Sequence, residues 1–146
     1  KWALLSSENR TGNSQDRRLL SLNEDEPGEN ALFLQGLHYS NDEPFCLETR
    51  VINSALVPDA LSVDFQAEVP GTWLLKTMPW TMARHHVRAS KVSGRDATLL
   101  ELPAGAACLE MLRRTQIEDN WVTCARLLYP GEAHQLIAEF DGKVGV

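Results

Sequence analysis

Several polar residues of this 146-residue chain sit inside apolar, alternating stretches, and their types suit gripping a small anion better than breaking its bonds. In "PFCLETRVI" (44–52), Cys46, Glu48 and Arg50 share one side of an extended strand, opposite Phe45, Leu47 and Val51. The second set is the evident core set, so Glu48 and Arg50 need water, a partner or a ligand. If the preceding hairpin is symmetric about Asp42, His38 lies opposite Cys46 and Gly36 opposite Glu48, and Gly36 leaves room above the sheet. In "WVTCARLLY" (121–129), Thr123 and Tyr129 point into one space, with a hydroxyl at either end of it. Arg126 points the other way, among apolar neighbours, as a buried or interfacial guanidinium.

Bland readings stand beside these. Glu48 and Arg50 also fit a solvated face carrying a surface ion pair, worth at most about 1 kcal/mol. "RHHVR" (84–88) puts His85 and His86 on opposite faces, with Arg84 and Arg88 beside His86, so only one of the two histidines can join any single site. A structural or surface role is the default for each. No nucleophile motif, phosphate-binding loop or carboxylate pair at acid/base spacing occurs, which leaves catalysis little to stand on. The histidines and cysteines fall at no spacing typical of metal ligands, so neither a metal nor another cofactor is expected.

The elements that must position these residues are mostly strands. Residues 31–39 and 44–52 form one predicted hairpin, 84–92 a further strand, and 107–116 with 121–129 a second hairpin over "IEDN". "HQLIAEF" (134–140) is the expected last strand. Short helices are expected at 72–78 and 94–102. Residues 1–30 read as a linker and lead-in, with "RRLLSL" as a first strand and "NEDEPGEN" as a solvated acidic loop. Together these predict an α+β fold, an antiparallel sheet of five to six strands with short flanking helices, with the domain proper at 31–146.

Composition bounds the function. With 43% hydrophobic and 23% charged residues the chain is globular, of single-domain length, and has no apolar run approaching a membrane span; a cytoplasmic location is expected. Cys46, Cys108 and Cys124, odd in number and widely spaced, fit packed thiols better than disulfides. The net charge of −6 repels phosphate, which disfavours direct nucleic-acid binding. A start at Lys1 suggests that an N-terminal portion has been cut away.

"LHYSNDEPFCLETRVINSALVPDA", the "RHHVRA" strand, "LELPAGAACLEMLRRTQ" and "WVTCARLLYPGEAHQLIAEF" resemble, in order over residues 31–140, the UTRA effector-binding domain of GntR-superfamily transcription regulators. The nearest subgroup is the histidine-utilisation repressors. The resemblance implies a chorismate-lyase-like sheet and a non-enzymatic homodimer. It also implies a winged helix-turn-helix domain, absent from this chain, through which alone operator DNA is bound. The implied small-molecule effector is urocanate or a related carboxylate. The implied pocket uses the strand position of His38, where many relatives have Arg, the strand of Glu48 and Arg50, the loop around Gly71 to Trp73, and Thr123 and Tyr129. Where such repressors read "TEGEH", this chain reads "TMARH" (81–85), so Met82 and Arg84 replace two acids, and Arg84 would favour a more anionic ligand. The expected ligand-binding set is therefore His38, Glu48, Arg50, Trp73, Arg84, His85, Thr123 and Tyr129. Two rivals remain: a lyase on the same fold, which needs paired arginines in its pocket, and a ligand-free pairing module, which needs an occluded polar face with Glu48 and Arg50 neutralising each other.

Overall fold

The alternating runs form strands in the computed structural model, which describes residues 1–28 and 30–142. Six strands make one antiparallel sheet among these residues: β1 (Trp2–Arg10), β2 (Ala31–Ser40), β3 (Glu43–Ile52), β4 (Met82–Lys91), β5 (Ala107–Ile117) and β6 (Asn120–Pro130), in spatial order β1-β2-β3-β6-β5-β4. Three helices accompany them: α1 (Ser14–Leu20), α2 (Pro70–Thr77) and α3 (Gly94–Leu99). The order divides the chain into two strand-helix-strand-strand halves that meet at β3 and β6. Each half's helix crosses to the other half, α1 against β6 and α3 against β3.

The two faces of the sheet are covered differently. On one, α1 contributes Leu20 to a cluster with Phe33, Val51 and Cys124, and α3 sets Ala97 and Leu100 against Leu37, Leu47 and Leu128. The other face is covered over part of its area by the connection between the halves, where Val57, Ala60, Phe65 and Leu74 pack on Leu32, Leu34, Ile52 and Val122. Leu47, Val51 and Ile52 are fully buried, each worth about 1.5–3 kcal/mol of transfer free energy. The rest of this second face is open, and the polar residues of β3 point into it.

Three expectations for chain organisation are corrected. Residues 1–30 are no linker: 2–10 form an edge strand, and "RRLLSL" belongs largely to α1. The helix forms there because Asn13 and Asp16 make a reciprocal capping box, each side chain accepting from the other's backbone N–H at 2.9 Å, and Arg10 clamps Asp16 at 2.7 Å. The acidic loop is not wholly solvated, since Glu26 is buried and takes both terminal nitrogens of Arg114 at 2.8 and 2.7 Å; Glu29 lies outside the described residues. "HQLIAEF" makes no ladder among the described residues: a short 3₁₀ turn at Gly131–Ala133 ends β6, and 134–140 run on without a strand partner there. Residues 143–146 of the predicted domain span also lie outside the described residues.

Candidate functional site

The hairpin register is the one that symmetry about Asp42 requires: His38 is opposite Cys46 and Gly36 opposite Glu48. Glu48, Arg50 and His38 consequently share the open face. The room over Gly36 is occupied by Trp2, whose indole would collide with any added Cβ and whose Nε1 donates to the Phe65 carbonyl at 2.6 Å. The edge strand thus walls one end of the site.

Glu48 is the hub. Its Oε2 accepts from Arg50 Nε at 2.7 Å and its Oε1 meets His38 Nε2 at 2.9 Å, while the carboxylate and guanidinium are each only 3% exposed. Burial would raise the Glu48 carboxyl; Arg50 and His38 together outweigh it and hold the group at about 2. Arg50 Nη1 donates to Thr123 Oγ1 at 3.0 Å, and that hydroxyl donates onward to the Val51 carbonyl at 2.9 Å. Thr123 therefore anchors the arginine. The surface-ion-pair reading fails on this burial.

The remaining Arg50 nitrogen, Nη2, points at Gly71 in the first turn of α2, where an added Cβ would lie 3.2 Å away. This helix starts with Pro70 and lacks a side-chain cap, so the Gly71 and Thr72 N–H groups have no intrahelical acceptor, and both residues line the same space. Across it stands Arg113 of β5, with His38, Phe45, Cys46 and Tyr129 farther along, around an open cleft of about 600 Å³ including the solvent at its mouth. A smaller apolar extension beneath α2 is lined by Leu74, Met78, Trp80 and Val122.

Two bulges alter the faces expected from strict alternation. Cys46 pairs with His38 but Pro44 with Tyr39, which makes Phe45 the extra residue and turns its ring to the cleft rather than the core. Thr115 pairs with Thr123 but Gln116 with Trp121, so Val122 is extra; it joins Thr123 on the cleft face and Trp121 turns to the opposite core. Phe45 and His38 (5.9 Å between ring centroids), Phe45 and His134 (6.0 Å, stacked) and Tyr129 and His134 (4.0 Å) form an aromatic end to the cleft.

Of the expected set, His38, Glu48, Arg50, Thr123 and Tyr129 are brought together on this face, and His85 borders it by accepting from Arg113 Nε at 3.0 Å. Two residues stand elsewhere. Trp73 packs edge-on against Phe65 in the core, because a helix turning toward the cleft with Gly71, Thr72 and Leu75 must turn the intervening Trp73 inward. Arg84 pairs across the ladder with Arg114 and, with His86, lies on the helix-covered face, since neighbours in a strand alternate and His85 takes the cleft side. Arg126 points away as expected, to Glu110 and Asp96, both at 3.2 Å. Arg113 was not in the set, although two consecutive arginines in β5 must face opposite ways and one of them had to reach this side.

Burial raises the Tyr129 hydroxyl, with further contributions from Cys46, and pushes the Cys46 thiol up to about 12, so both stay protonated donors at neutral pH. The arrangement offers cations and backbone N–H groups at one end and flat rings with a carboxylate-imidazole pair at the other. Paired arginines line the cleft, as the lyase reading asks, and of Arg50 the Nε and Nη1 atoms are taken by Glu48 and Thr123 while Nη2 is left toward the cleft. Glu48 and Arg50 do neutralise each other, as the pairing-module reading asks, yet the face is open.

Residues 1–135 match the UTRA domain, and the chain belongs to the UTRA domain family. Within that family it is similar to the histidine utilization repressor of Pseudomonas aeruginosa, 38% identical over 105 residues that make up 72% of this chain and 42% of that protein. The repressor of the same name from Klebsiella aerogenes is 36% identical over 104 residues, 71% of this chain and 43% of that protein. The chain thus spans under half the length of these curated relatives. The crystal structure of the C-terminal domain of the histidine utilization repressor from Pseudomonas syringae pv. tomato superposes with a TM-score of 0.83 at 30% identity, over 96% of this chain and 97% of that one. A GntR-family regulator from Enterococcus faecalis shares the fold, with a TM-score of 0.76 at 19% identity over 96% of this chain and 100% of that one. No helix among the described residues is long and apolar enough to cross a membrane.

Proposed function

We propose that this chain is the effector-binding half of a paired transcriptional repressor of histidine-utilisation genes, and that its effector is a small flat carboxylate, urocanate foremost. The observation that carries this is the convergence on one cleft of Arg113, Arg50 Nη2 and the uncapped start of α2, opposite an aromatic end built on His38 and Glu48. A carboxylate seated between the two guanidiniums receives charge-assisted hydrogen bonds. A conjugated ring then lies among Phe45, Tyr129 and His38, with an imidazole N–H within the province of the Glu48 carboxylate. Because Arg84 lies on the other face, the exchange of "TEGEH" for "TMARH" does not bring its guanidinium to this ligand.

Operator binding belongs, in this reading, to a portion of the relatives' length that this chain does not span. An effector that favours one arrangement of the pair changes operator affinity by its differential binding free energy, typically about 1–3 kcal/mol. A thermal-shift titration with urocanate, histidine, imidazolepropionate and unrelated carboxylates tests the proposal. Urocanate at 100 times its dissociation constant stabilises the fold by about 2.7 kcal/mol, a shift of several degrees. A shift with some other acid alone moves the pathway, and silence with every carboxylate supports the ligand-free pairing module instead.

A further inference from the structure

Leu136, Ile137 and Phe140 are 61, 71 and 76% exposed, which makes residues 134–140 the most apolar uncovered stretch among the described residues. The stretch has strand-like composition but no strand partner, and it extends beyond residue 135, where the family match ends. At the far end of the sheet, β4 presents a ten-residue edge whose other side is fully paired to β5 without a break in register. A free edge of that length is a template for another strand. We infer that residues 134–140 form a strand with the free edge of β4 on a second copy of this chain. This deepens the pairwise assembly proposed above and rests on it.

Charge favours this match. The β4 edge carries Arg84, Arg88 and Lys91, and neither Arg84 nor Lys91 has an ion-pair partner among the described residues. The tail carries Glu139 beside its apolar run, and Met82 and Val87, 44 and 37% exposed, give the edge apolar side chains to meet it. Two edges meeting each other would instead set like charges face to face. The opposite edge, β1, is the poorer acceptor, because its ladder is interrupted by a bulge between Leu4 and Ser6.

The tail cannot easily serve its own β4. His134 is held between Tyr129 of β6 and Phe45 of β3, and β4 lies beyond β5 on the other side of β6. Crossing back from β3 to the free side of β4 spans four strand spacings, about 19 Å, and uses about six residues before any pairing begins. A two-fold pair makes the exchange reciprocal, with two such contacts and no open-ended chain of copies.

Sedimentation equilibrium of the chain tests this. Leu136→Asp with Ile137→Asp changes only exposed side chains, so folding is not at issue. It is expected to raise the dimer dissociation constant roughly 100-fold, as loss of apolar anchors at an interface does. Arg84→Glu with Lys91→Glu is expected to weaken the pair, as is Glu139→Lys, and combining all three is expected to restore part of the lost affinity. Hydrogen exchange in the dimer is expected to protect β4 amides relative to dilute monomer. A dimer indifferent to the tail substitutions, or one that protects β1 instead, overturns the inference while leaving pairing intact. A chain that stays monomeric at all concentrations overturns both.

Discussion

Glu48 on the cleft face and Glu110 on the helix-covered face are buried to nearly the same degree, 3 and 2% exposed, and each is held by an arginine of the sheet. Around Glu110 the charges close: Arg126 and Arg88 grip it, and Asp96 takes a second nitrogen of Arg126. Two carboxylates face two guanidiniums. Around Glu48 they do not close, because one carboxylate faces Arg50, the His38 imidazole and, across the cleft, Arg113, which has no carboxylate partner among the described residues. Buried ion networks of similar composition are thus distinguished by what is left over. The balanced one ties α3 to the sheet through Asp96, and the unbalanced one has cationic capacity to spare for a ligand.

The comparison can be broken most forcefully at its two acids. Glu48→Ala leaves Arg50 buried without its counter-charge and is expected to cost about 3–5 kcal/mol in urea unfolding. Glu110→Ala should destabilise comparably while leaving the ligand affinity of the folded protein unchanged. Acid titration probes the same group more gently. The folded Glu48 carboxyl lies at about 2 against an ordinary 4.5, so its ionised form stabilises the fold. That contribution, about 3 kcal/mol, is complete above pH 4.5 and is lost as pH falls toward 2; Glu48→Gln should flatten this part of the stability profile.

Binding sharpens the contrast. Arg113→Ala should weaken a carboxylate ligand by about 1.5–3 kcal/mol, roughly 10- to 150-fold in calorimetry, with little change in unfolding. Gly71→Ala places a methyl group 3.2 Å from Arg50 Nη2, crowding the anion seat, and should cost about 1 kcal/mol of affinity although alanine is the better helix former. Arg84→Ala, on the balanced face, should change ligand affinity by less than about 0.5 kcal/mol.

Much of the site was legible from alternation, because a short hairpin fixes the register of β2 on β3 and thereby sets His38, Glu48 and Arg50 on one face. What was not legible has specific physical causes. An inserted residue in one strand reverses the side of its neighbours without a local signature, which concealed the turning of Phe45 and Val122 to the cleft. The Asn13–Asp16 capping box is written in "NSQD", yet the apolar pair Leu19 and Leu20 suits a strand equally well, and "RRLLSL" reads as one. Trp2 fills the space over Gly36, 34 residues away along the chain, through its pairing with His38, which no local pattern announces. "HQLIAEF" shows the converse: it has a strand pattern, but no ladder pairs it among the described residues.

The most direct test of the central claim is an amide-resolved NMR titration of the chain with urocanate. Saturable shifts at Gly71, Thr72 and the β3 and β5 amides beside Arg50 and Arg113 are predicted, with none around Asp96, Arg126 and α1. Shifts centred on the helix-covered face, or none at any urocanate concentration, would contradict it.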